Sequence, residues 1–114
     1  MFQAQMLISQ GTAVKTPVYS PWTERGGDYL RASVEFIDGT GELTIEVATK
    51  NHTDPGDGTV ISGTSIFIDG AGSETEQWTE LKEMVRYKIT TGGTSGKWVL
   101  FRILEPVWFD AVEA

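Results

Sequence analysis

The 114-residue chain has no cysteine, one histidine, four prolines, and nine basic residues against sixteen acidic ones. Without cysteine there is no disulfide staple, no thiolate metal site and no cysteine nucleophile, so stability must come from packing. The single histidine, His52, stands in a polar stretch beside Asp54, with no serine or cysteine on a strained turn to serve as its nucleophile. It reads as a solvated loop residue. A formal net charge of −7 repels phosphate backbones and anionic bilayer surfaces, which argues against nucleic acid or a membrane as a direct partner. No window approaches the roughly 18 consecutive apolar residues of a membrane-spanning helix. Met1 to Ile8 also lacks the basic stretch and apolar run of a secretory signal. The length suits one domain, 1–114, with one modest core.

What is present is period-two alternation. In Tyr29 to Ile37, Leu30, Ala32, Val34 and Phe36 fall on one face and Arg31, Ser33 and Glu35 on the other, the pattern of a half-buried strand. Leu43, Ile45 and Val47 repeat it against Glu42, Thr44 and Glu46. The Asp38-Gly39 step between them supplies the positive φ of a tight turn, so 28–49 reads as a β-hairpin. Residues 51–58 are polar apart from Pro55 and form a solvated loop. Short strands are expected at 60–61 and 65–68, the second closed by Asp69-Gly70-Ala71-Gly72. Residues 74–83 have the composition of a helix, with Trp78 and Leu81 positioned to pin one or two turns, although an extended connection fits nearly as well. Met84 to Thr90 alternates again, and the three glycines of 91–96 read as a hairpin loop. In 97–104, Trp98, Val99, Leu100, Phe101, Ile103 and Leu104 are apolar on both faces, interrupted by Arg102. They are therefore expected to be a central strand, or one whose second face meets another chain, with Trp98 buried. Pro106 breaks the ladder before an extended Val107-Trp108-Phe109. Short antiparallel strands at this spacing predict an all-β fold, an antiparallel β-sandwich of jelly-roll-like character, with no internal repeat and no linker.

Groups that could carry chemistry are sparse. Glu42 and Glu46 share a polar strand face that points to water rather than into a cleft. Asp38, Asp54, Asp57 and Asp69 lie in glycine-rich turns, but the ligand spacing of a calcium loop is missing and turn conformation accounts for them. Gly92 to Lys97 lacks the spacing and the following helix of a phosphate loop. Asn51-His52-Thr53 is an N-x-T sequon, meaningful only in a secreted eukaryotic protein. The 69–83 stretch has five carboxylates against one lysine and reads as a solvated face. No enzyme activity, cofactor or metal is expected. Aromatic residues in irregular or terminal segments are the candidate contact residues: Phe2, Trp22, Trp78, Trp108 and Phe109.

Ser20-Pro21-Trp22 followed by Gly26-Gly27-Asp28, Ala48-Thr49-Lys50-Asn51, and the closing Trp98 to Leu104 with Pro106 to Phe109 together give the chain a character that resembles the small β-sandwich virion proteins of tailed bacteriophages. The head-decoration or cement type is the nearest in character. The resemblance implies a non-enzymatic structural protein on the capsid surface of a virion, docked on the major capsid protein or another virion protein. It also implies a homo-oligomer, with a trimer favoured. The alternative from the residues themselves is a carbohydrate-binding or lectin-like module, since spare tryptophans can stack on sugar rings.

Overall fold

Wherever the sequence alternates, the chain is extended. The computed structural model describes residues 4–9 (as backbone), 18–92 and 98–110. Among them run eleven strands: β1 (Ala4–Ser9), β2 (Val18–Tyr19), β3 (Thr23–Glu24), β4 (Tyr29–Gly39), β5 (Glu42–Lys50), β6 (Thr59–Val60), β7 (Ile66–Ile68), β8 (Gly72–Trp78), β9 (Met84–Gly92), β10 (Trp98–Ile103) and β11 (Val107–Phe109).

All pairings are antiparallel, and they build two sheets packed as a sandwich. In the first sheet β4 is flanked on one side by β8 and on the other by β10 and β11 in succession, with β1 outside β10. The second sheet is centred on the long β5–β9 pair, with β2 and β3 along the outer side of β9 and β6 and β7 along the outer side of β5. The inner faces are the apolar faces of the alternation: Leu30, Val34 and Phe36 from β4, Leu43, Ile45 and Val47 from β5, Val85, Tyr87 and Ile89 from β9, and Val99, Phe101 and Ile103 from β10 are all buried. Each large side chain so buried contributes about 1.5–3 kcal/mol relative to exposure.

Two turns differ from their sequence reading. β4 and β5 do not pair, so 28–49 is not a hairpin: the chain leaves the first sheet at Gly39 and enters the second at Glu42. The Asp-Gly turn chemistry is nevertheless used. Gly39 has φ 142°, and a Cβ there would lie 2.4 Å from the Trp98 carbonyl oxygen. That oxygen accepts the N–H groups of Thr40 (2.9 Å) and Gly41 (3.0 Å), fixing the corner on the start of β10. The same holds for 91–96, since β9 lies in the second sheet and β10 in the first, so the strands it joins are not a hairpin either.

Residues 74–83 take the extended alternative. β8 runs to Trp78, a turn with Glu80 at φ 59° follows, and Trp78 and Leu81 both enter the core. β10 is a central strand, between β1 and β4. The chain break at Pro106 also appears where expected, separating β10 from β11, with the Leu104 N–H donating to the Ser33 carbonyl at 3.0 Å.

Candidate functional site

The two outer faces of the sandwich are built differently. On the first sheet, alternation along β10 that buries Val99, Phe101 and Ile103 turns Trp98, Leu100 and Arg102 outward. Trp98 and Leu100 are only half-buried, which corrects the expectation that Trp98 lies in the core. Leu100 pairs with Asp38 and Phe101 with Phe36, so Ile37 is the extra residue of a β-bulge on β4. It is 37% exposed. With Leu104 and the edge residues Ala71 to Ser73, Ile37 lines a shallow depression of about 430 Å³. The middle of the face is polar: Arg102 pairs with Glu35, Ser33 shares a hydrogen bond of 2.7 Å with Thr75, and Arg31 donates to Gln77 at 3.3 Å. At its far end Tyr29 and Phe109 stack, with ring centroids 5.7 Å apart, and the Arg31 guanidinium lies 5.2 Å from the Phe109 centroid.

On the second sheet two outward aromatics, Tyr19 and Trp22, lie against cations, while Phe67 on β7 stands 54% exposed. The Arg86 guanidinium, on β9, lies 4.1 Å from the Tyr19 ring centroid and 4.5 Å from that of Trp22, and the Lys50 ammonium lies 4.8 Å from Trp22. The 51–58 loop closes over this group: a Cβ on Gly58 would come within 2.8 Å of the Trp22 ring, and Asp57 reaches Arg86 at 3.6 Å.

The start of that loop is tied at three points. His52 Nε2 bonds the Glu24 carboxylate, His52 Nδ1 lies 3.1 Å from Glu83 Oε2, and the His52 backbone N–H donates to Glu83 Oε1 at 3.1 Å. The two carboxylates, Glu24 foremost, raise the His52 pKa above its ordinary 6.5. The His52 backbone N–H, and then its imidazole, lower that of Glu83. His52 is therefore a clip between β3, the loop and the turn before β9, rather than a plain solvated residue. Its carboxylates sit on opposite ring nitrogens and do not converge on one point. Among the described residues, no group of three or more histidine, cysteine or carboxylate side chains is arranged to hold a metal ion.

The five aromatic candidates separate accordingly. Phe2 lies outside the described residues. Trp78 has no exposed surface, and its indole N–H donates to the Thr64 carbonyl at 3.1 Å, so it is a core residue and not a contact residue. Trp22 is half-buried beneath its cations. Trp108 packs against the core on its inner side, in contact with Gly26, where a Cβ would lie 2.7 Å from the indole. Phe109 is half-buried beside Tyr29 and Arg31. The sequence reading missed Ile37, Leu100 and Leu104; the doubly apolar run 97–104 was the signal that held two of them. No known protein family matches the chain, and neither a curated protein nor a solved structure does.

Proposed function

We propose that the chain is a non-enzymatic structural protein that docks on a larger protein lattice, as a capsid decoration or cement protein does on a phage virion. The observation that carries this reading is the apolar part of the first sheet's outer face, where Trp98 and Leu100 of the central strand turn outward next to the bulge that lifts Ile37 into a shallow depression. Apolar side chains grouped on a sheet face suit a protein neighbour better than water. The resemblance in overall character to small phage decoration proteins supplies the class of lattice, and docking there would stabilise the assembled shell by mass action, without chemistry. A glycan platform is less well supported, because Trp22 and Phe109, the aromatic candidates in irregular and terminal segments, have cations over them.

The test is addition of the full chain to undecorated tailed-phage shells, read by co-sedimentation and by the melting temperature of the shells. Binding with a raised melting temperature, lost in Leu100→Glu while the variant keeps its own fold by circular dichroism, is the expected result. Failure of the wild-type chain to co-sediment and to shift the shells' melting overturns the reading.

A further inference from the structure

The two edges of the first sheet are unlike. One is β8, Gly-Ser-Glu-Thr-Glu-Gln-Trp, whose Glu74 and Glu76 pair in register with Val34 and Ala32. Register places both carboxylates on the inner side of the sheet, where they remain exposed at the lip of the sandwich. Inward-pointing charge on an edge strand blocks a further strand from adding there. The other edge is β1, Ala-Gln-Met-Leu-Ile-Ser, six residues in unbroken register with β10 and without a charged side chain in its sequence. Among the described residues β1 pairs with β10 alone. Among those residues its far side is therefore a free row of backbone N–H and C=O groups, with no charge within β1 to guard it.

We infer that this edge pairs with β1 of a second copy, antiparallel about a two-fold axis, so that the two first sheets join into one continuous sheet. Charge selects the occupant. Each chain bears a net −7, so two copies approach best through the part of the sheet farthest from its acidic edge. In the antiparallel self-pairing of β1, uncharged residues meet uncharged residues, whereas self-pairing of β8 would set Glu74 and Glu76 against their own copies. The joined sheet has its two acidic β8 edges outermost, which stops further growth. An isologous contact of this kind closes at two, so the unit is a dimer and not the trimer that the resemblance to decoration proteins implies. The contact needs no lattice and stands or falls on the isolated chain, apart from any docking.

The test uses the full chain in sedimentation equilibrium across a concentration series, with Leu7→Glu and Leu7→Lys made separately. Leu7 is near the middle of β1, opposite Leu100. Wild-type chain should reach twice the chain mass, and each variant should dimerise at least about tenfold more weakly, because like charges face each other across the axis. An equimolar mixture of the two variants should recover the dimer, which a folding defect in either would not allow. Hydrogen exchange on the wild-type chain gives a check without substitution: amides of 4–9 should gain protection as concentration rises. A monomer at all concentrations, a trimer, or a dimer untouched by both variants overturns the inference.

Discussion

The outer face of the second sheet and that of the first share a strand pattern and differ in what lies on their aromatic and aliphatic side chains. On the second, Arg86 lies over Tyr19, and Arg86, Lys50 and the 51–58 loop close around Trp22, although Phe67 on β7 is left 54% exposed. On the first, among the described residues, no cation or second ring covers Trp98, and Ile37 is lifted outward by a bulge. A sequence rich in tryptophan says nothing about which of these states a given ring occupies. The difference teaches that Tyr19 and Trp22 have internal work against Arg86, Lys50 and a loop, whereas the docking proposed for the first face draws on side chains without such a partner.

The largest expected effect is on the covered face. Arg86 has a side chain only 11% exposed and its guanidinium against two rings. Arg86→Ala should therefore cost about 2 kcal/mol in urea denaturation, as a largely desolvated cation–π contact and the stem packing are both lost. Arg31→Ala, where the exposed Arg31 lies over the half-buried Phe109 on the other face, should cost about 0.5 kcal/mol. Equal losses at the two positions would erase the distinction between the faces.

The C-terminal aromatics sharpen the comparison, because Trp108 was a candidate for docking and instead packs inward. Gly26→Ala places a methyl carbon 2.7 Å from the Trp108 indole. The ring or the backbone must move, at a cost of about 1–2 kcal/mol, within the range for overpacking. A quenched or shifted tryptophan emission should accompany the loss. If stability and emission both stay at wild-type values, Trp108 is free to leave the core and returns to the docking candidates.

How much of this was legible follows from the reach of each signal. Alternation is local, so the strands at 29–37, 42–50, 84–90 and 98–103 could be read from neighbours in sequence, and so could the break at Pro106. The partner of each strand is not local. Asp38-Gly39 and the glycines of 91–96 announce turns, but turn chemistry sets φ and not the sheet that the next strand joins, and both turned out to be crossings between sheets. The site was less legible still. Gly26-Gly27 does not show Trp108 above it, and Arg86 gives no hint that Tyr19 and Trp22 flank it, because such contacts exist only once β2, β3 and β9 lie side by side. The doubly apolar 97–104 was the exception, a local pattern that pointed to an outward apolar face.

A smaller effect tests that outward face directly. Ile37→Ser removes an exposed side chain from a bulge, and its stability should stay within about 0.5 kcal/mol of wild type, as for surface changes in general. Its effect should fall instead on shell binding. A large loss of stability would mean that the side chain is held by the fold itself, and the apolar face would then be closed in the same sense as its counterpart.

The smallest effect lies at the His52 clip and is visible through its pH dependence. Because Glu24 and Glu83 raise the His52 pKa above 6.5, the clip's contribution is complete below that value and disappears as pH rises through the higher folded pKa. The Glu83 pKa is lowered from 4.5, so its contribution is complete above that value and disappears on further acidification. The two conditions overlap between pH 4.5 and 6.5. The melting-temperature difference between wild type and His52→Gln should be largest there and close above neutral pH, with 0.5 M salt narrowing it throughout because the pair is exposed. A difference that stays constant to pH 9 would show that the imidazole holds the loop through its shape and neutral hydrogen bonds. The second sheet's cover would then be fixed at every pH, and not loosened at alkaline pH as the charges require.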